Sequence, residues 1–161
     1  MNLNLLAHEN FATKPTYHIL LLDSPYNSDG IGWIDCHFVK EHRVLRIDNL
    51  IFEALFEKVL AIFNYYNPDG ITDFYEERSL SLLRLLKIEN EEICQLSDEQ
   101  LKGRYELIFN AILDRDNFKK EYDKSNGTEL IRSDVQSIMA AMINDLEIAI
   151  RDKRSITIVG I

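Results

Sequence analysis

Hydrophobic and polar positions change their period several times along the chain. Residues 17–22 (YHILLL) and 31–39 (IGWIDCHFV) are short runs rich in β-branched and aromatic residues, and DSPYNSDG between them is dense in turn formers. The two runs read as a hairpin with a long loop. Side chains alternate along a strand, so Ile31, Trp33, His37 and Val39 share one face and Ile34, Cys36 and Phe38 the other. Residues 43–47 (RVLRI) suit a third short strand or the approach to the first helix, with the strand preferred.

The period then becomes helical. Residues 49–66 carry Leu50, Ala54, Leu55, Ile62, Phe63 and Tyr66 on one stripe, widened by Phe52, Phe56 and Val59. Asp48 or Asn49 can cap this helix, and Asn67-Pro68-Asp69-Gly70 ends it. A second helix is predicted over about 72–88, burying Phe74, Leu82, Leu83, Leu85 and Leu86, with Asp73, Glu76 and Glu77 in its first turns where the helix dipole favours negative charge. Ser97-Asp98-Glu99-Gln100 has capping-box spacing and opens a third helix to about residue 122, with Leu101, Tyr105, Ile108, Ile112 and Leu113 inward. A loop at DKSNG (123–127) follows. Thr128 or Ser133 opens a fourth helix with Val135, Ile138, Met139, Met142, Leu146, Ala149 and Ile150 at helical period. Residues 155–161 (SITIVGI) read as a strand that joins the N-terminal sheet, since an exposed strand of this kind invites aggregation.

These elements predict an α+β protein, mostly helical with about four helices and a small antiparallel sheet. The 161 residues match the usual size of one domain, and residues 1–161 contain no linker, internal repeat or low-complexity tract. Cys36 and Cys94 are far apart and form no CxxC pair, which predicts two reduced, buried thiols. No signal peptide or membrane-spanning run is present, so a cytoplasmic location is expected.

Charge narrows the range of partners. Eighteen Lys and Arg stand against 27 Asp and Glu, a formal net charge of −9. Such a field repels phosphate backbones and anionic membrane surfaces, so neither nucleic acid nor membrane is an expected partner, while it speeds encounter with a basic protein.

Catalytic signatures are sparse. The histidines His8, His18, His37 and His42 lack HExxH spacing, and no GxGxxG, GxxxxGK[ST] or GxSxG occurs. No metal or cofactor is expected. Asp73, Glu76 and Glu77 could carry acid and base roles in a cleft or hold a hard cation, yet an acidic helix start looks the same. No helix presents the basic face that a DNA-recognition helix needs.

The feature that most invites a partner is ENEEICQLSDE (89–99), an inter-helix segment carrying Glu89, Glu91, Glu92, Asp98 and Glu99 without one basic residue. It suits a well-solvated loop or a surface complementary to a positive partner. Tyr65, Tyr66 and Tyr75, like Trp33, are of the type enriched in interface hot spots, and core tyrosines would read identically.

With its size, acidic balance, ENEEICQLSDE run and NYYN aromatics, the chain resembles the bacterial immunity proteins of contact-dependent inhibition and related polymorphic toxin systems. The resemblance is one of type and rests on no diagnostic motif. It implies a non-catalytic protein that binds a cognate toxin domain, often a basic nuclease, and covers its active site. Two other readings stay open: a small enzyme using His37 or the carboxylates Asp73, Glu76 and Glu77, and a helical adaptor that pairs through its fourth helix.

Overall fold

The computed structural model describes residues 16–23, 25–26, 44–68, 70–106 and 127–160. Four strands, β1 (Thr16–Leu22), β2 (Val44–Asp48), β3 (Ile71–Phe74) and β4 (Ser155–Val159), form one antiparallel sheet in the order β2-β1-β4-β3. The C-terminal strand thus joins the sheet at its centre, paired on both sides. β1 pairs with β4 on one side and with β2 on the other, and β2 fulfils the strand reading of residues 43–47; the run 31–39 and its two proposed faces lie outside the described residues. The architecture is α+β, with four helices among the described residues.

The pleat explains why the strands are so apolar. Tyr17, Ile19 and Leu21 of β1, Ile47 of β2, Phe74 of β3, and Ile156 and Ile158 of β4 point into the main core. Leu20, Leu22 and Val159 point the other way and form a second buried cluster, with Ile71 and Tyr26 packed against it. Burial on both faces removes the alternation that a half-exposed strand would show.

Helix α1 covers residues 49–60 as an α turn (Asn49–Phe52), a π turn (Glu53–Glu57) and a final α turn (Lys58–Leu60). The wider π turn brings Leu55 and Phe56 inward together, and Val59 and Leu60 after them. The helix ends six residues earlier than its periodicity predicts. Ile62 consequently lies outside it and is exposed, while Phe63, Tyr65 and Tyr66 pack against the core from the turns that follow. Phe52 stacks on Tyr17 with ring centroids 3.8 Å apart, and the Tyr17 hydroxyl donates to the Pro68 carbonyl at 3.1 Å. Gly160 is required where that loop meets β4, since a Cβ there would lie 1.8 Å from the Pro68 oxygen.

Helix α2 (Glu77–Gln95) differs from expectation at both ends. The residues predicted as its first turn form β3, because Thr72 and Phe74 bury their side chains at strand spacing. At its far end the segment expected as an inter-helix loop is helical through Gln95. The third helix, α3 (Asp98–Arg104), begins with the predicted capping box, in which Gln100 N–H donates to Ser97 Oγ at 3.3 Å and Ser97 N–H to Gln100 Oε1 at 2.9 Å; it ends at Tyr105, whose backbone leaves the helical region, so the single helix expected to about residue 122 is broken there. Leu101 and Tyr105 are buried as predicted, and Ile108, Ile112 and Leu113 lie outside the described residues. Helix α4 (Gly127–Arg151) buries Ile131, Val135, Ile138, Met139, Met142, Leu146 and Ala149 against α2 and the sheet. Among the described residues, no helix is long and apolar enough to cross a membrane.

Candidate functional site

Two adjoining clefts open where β3 turns into α2, and both are lined by Pro25 and Tyr75. The local chain geometry creates them. Arg78 N–H donates to the Tyr75 carbonyl at 3.0 Å, closing a four-residue turn in which Glu76 adopts φ 48° and ψ −123°. That is the second position of a type II′ turn, where glycine is normally required. The turn throws Tyr75 outward and starts α2 at a sharp angle to β3.

The larger cleft, about 690 Å³, is lined by Tyr65, Ile71, Thr72, Asp73, Tyr75 and Arg78 together with Pro25. The Arg78 guanidinium lies 4.1 Å from the Tyr65 ring centroid and 5.4 Å from that of Tyr75. Tyr65 is held from behind by Phe63 and Phe74. Its hydroxyl is buried without a hydrogen-bond partner, and burial pushes its pKa up. Asp73 Oδ1 accepts from Thr157 Oγ1 at 2.5 Å and from Tyr26 N–H at 3.2 Å. Burial raises the Asp73 pKa against the opposing pull of those two bonds and of Arg78.

The smaller cleft, about 450 Å³, is lined mainly by Tyr75, Glu76, Glu77, Leu80, Ile150, Lys153 and Arg154. Lys153, at φ 55°, is the left-handed cap of α4, with Arg154 N–H donating back to the Ala149 carbonyl at 2.7 Å. Both positive-φ residues other than glycine among those described therefore border this cleft. The carboxylates expected to act together are divided: Asp73 lines the larger cleft and Glu76 and Glu77 the smaller. Among the described residues no group of three His, Cys, Asp or Glu side chains is disposed to hold a metal ion, and His37 lies outside them.

The predicted partner-binding residues separate into two groups. Tyr65 and Tyr75 meet at the larger cleft. Tyr66 sits beside Tyr17, Glu53 and Glu57, where burial raises its pKa strongly. Glu89, Glu91 and Glu92 occupy the last turns of α2, and Asp98 and Glu99 the first turn of α3. Arg78 and Glu91 are 13 residues apart on α2, about 20 Å along the axis.

The acidic group is also less bare than its sequence suggests. Arg104 bridges Glu89 and Glu92, and Arg132 pairs with Asp98 at 3.0 Å while donating to the Ile93 and Leu96 carbonyls. Glu91 and Glu99 are exposed, with no ion-pair partner among the described residues. The reading of two buried thiols needs correction at Cys94, which is exposed on this end of α2 with Gln136 Nε2 3.4 Å from its sulfur. Cys36 lies outside the described residues.

Arg78, Arg104 and Arg132 carry much of this arrangement, and sequence reasoning did not single them out. Arg104 and Arg132 meet carboxylates 12 to 34 residues away. For Arg78 a local signal existed: it follows Tyr75 by three residues, a spacing at which side chains meet on one side of a turn.

Comparison with protein-family models, with characterised proteins and with solved structures gives no match for this chain.

Proposed function

We propose that this chain is a non-catalytic binding protein of the immunity type, acting in the cytoplasm on a basic toxin domain, a nuclease being the best fit to its charge. The observation that carries the reading is the Tyr65–Arg78–Tyr75 cluster at the mouth of an open cleft. Tyrosine and arginine are enriched in interface hot spots, tyrosine because it brings large area with little rotamer loss and arginine because its planar fork brings several donors, at a cost in side-chain ordering. Here the arginine is already stacked, so little ordering is left for binding to impose.

Two further features support it. The outer face of α2 carries Leu80 and Ile88, both exposed large hydrophobics, between the cleft and Glu91. Leu80, Arg84 and Glu91 lie within about 40° of one another around the helix, so this face joins the smaller cleft, which Leu80 lines, to the acidic end. The net charge of −9 then steers a basic partner toward it.

The test is purification of the tagged chain from its source at low salt, followed by assay of any stoichiometric partner for toxicity. The expected result is one basic protein, bound one to one, released as salt rises, whose toxicity the chain suppresses. A chain that co-purifies with nothing stoichiometric, or with a partner whose activity it leaves unchanged, would overturn the reading.

A further inference from the structure

Two charged side chains stand at backbone positions that glycine fits better, and both line the smaller cleft. Glu76, at φ 48°, precedes α2, and Lys153, at φ 55°, follows α4. A side chain strains the backbone at such positions, and glycine is the usual occupant of both the turn and the helix cap. Neither side chain makes a contact that offsets the strain. Among the described residues Glu76, Glu77 and Lys153 form no ion pair or side-chain hydrogen bond, and Glu76 caps nothing at the start of α2. The helix dipoles account for the sign of each charge but not for its place, since Glu77 already puts a carboxylate in the first turn of α2 and Arg151 a cation in the last turn of α4. Backbone strain that the fold itself does not use is a mark of sites that act on a ligand.

The cleft between these residues is built on two helix ends. α2 and α4 lie antiparallel, with Lys87 paired to Glu147 and Cys94 beside Gln136, so the start of one helix and the end of the other form facing walls. Leu80, Ala149 and Ile150 supply its apolar surface together with Pro25 and Tyr75. Arg154 is committed to the fold, donating to the Leu21 carbonyl at 3.1 Å and pairing with Asp23 at 3.0 Å. Among the described residues Lys153 is therefore the free cation of the lining. Pro25 stands at the rim, and the next residue, Tyr26, packs with Leu20, Leu22 and Val159 on the face of the sheet opposite the helices.

We propose that the smaller cleft binds a free dipeptide with apolar side chains, its ammonium group on Glu76 and Glu77 and its carboxylate on Lys153. No ion pair joins Lys153 to either glutamate across the opening, so a ligand that meets both must hold its two charges apart. A dipeptide does so, and its side chains cover the apolar surface of Pro25, Leu80 and Ile150. The volume of about 450 Å³ is that of a small-molecule site, and a single amino acid leaves much of it empty. An internal segment of a protein chain has no terminal charges to offer, so this site does not rest on the partner-binding reading above.

The probe is the dipeptide Leu-Leu, titrated into the full-length protein and followed by calorimetry and by methyl NMR shifts. Shifts are expected at Leu80, Ala149 and Ile150, and not at Ile71 of the larger cleft. N-acetylation or C-terminal amidation of the probe should each weaken binding by roughly tenfold or more, the loss of one charge-assisted contact. Free leucine should bind as weakly as the blocked peptides. Lys153→Gly, which relieves the backbone and so keeps the fold, should weaken binding by a similar factor, as should Lys153→Met and Glu76→Gln/Glu77→Gln, which leave the backbone strain in place. Unshifted methyls at Ile150, shifts centred on Ile71, equal binding of the blocked peptides, or parent-like binding by these variants would overturn the proposal. Equal binding of free leucine would overturn it too, by assigning the cleft to single amino acids. Because the probe is the dipeptide alone, none of these outcomes depends on whether a toxin is found.

Discussion

Glu76 holds a backbone conformation that costs a non-glycine residue about 1–3 kcal/mol, and its side chain makes no compensating cap bond at the start of α2. If the turn serves only to join β3 to α2, Glu76→Gly relieves that strain. The expected gain is roughly 1 kcal/mol in urea denaturation, less than the full strain because glycine adds entropy to the unfolded chain. A loss of stability would show that the Glu76 side chain holds the turn. Asp134 is a second side chain in an unfavourable setting. Its Oδ2 lacks a hydrogen-bond partner, and burial pushes its carboxyl up to about 6. Between the ordinary value of 3.8 and about 6 the folded protein binds the proton more tightly than the unfolded chain. The group therefore favours folding at low pH, and that contribution is lost as pH rises through 6. Asp134→Asn should flatten this slope and raise stability at pH 7 by roughly 1 kcal/mol, below the full linkage value because water still reaches the carboxyl. Thermal melts of both proteins at pH 4.5 and 7.5 check the sign.

The end of α2 shows how one side chain can organise an element. Arg132 of α4 donates to the Ile93 and Leu96 carbonyls and pairs with Asp98, so it places a cation at the negative end of one helix and anchors the start of the next. Arg132→Ala should lower stability by about 2–3 kcal/mol, since it removes three charge-assisted bonds and leaves the Leu96 carbonyl without a partner, the Ile93 carbonyl keeping only the Leu96 N–H, whereas Ser97→Ala, which removes only a capping bond, should lower it by about 1 kcal/mol. Chemical denaturation of the two variants under one buffer separates these effects, and equal losses would mean that Arg132 acts only on α3. The start of α3, the apolar period of α4 and strand β4 were legible in sequence, whereas the caps expected for α4 at Thr128 or Ser133 lie inside that helix and α3 stops at Arg104. The acidic run was misread for a physical reason: ENEEICQ has the hydropathy of a loop, but glutamate is a good helix former and only Ile93 needs to be buried. β3 was misread because Glu76 stands where a glycine would have marked the break, so strand and helix ran together. In the candidate site the tyrosines and acids were legible as residue types. Their division between two ends of α2, and the arginines that neutralise three of the five acids, depend on contacts between residues far apart in sequence.

For the whole molecule, the separation of the cleft from the acidic end predicts that association and dissociation respond to different residues. Glu91 and Glu99 are exposed and unpaired among the described residues, so their charge acts at a distance, through the field that guides a basic partner before contact. Arg78 is stacked between two rings at the cleft and acts only after contact, when water has left its surface. Charge reversal in Glu91→Lys/Glu99→Lys should therefore slow association with the basic partner by roughly tenfold at low ionic strength, an effect that shrinks toward none as salt approaches 1 M, with dissociation little altered. Arg78→Ala should do the opposite, raising the dissociation rate by roughly tenfold or more at every salt concentration while association stays near that of the parent. Stopped-flow and surface-binding kinetics across a salt series distinguish the two. Should both variants change only dissociation, the acidic end lies inside the contact and the interface extends along the length of α2; should neither change either rate, the partner binds elsewhere and the cleft at β3 is not its site.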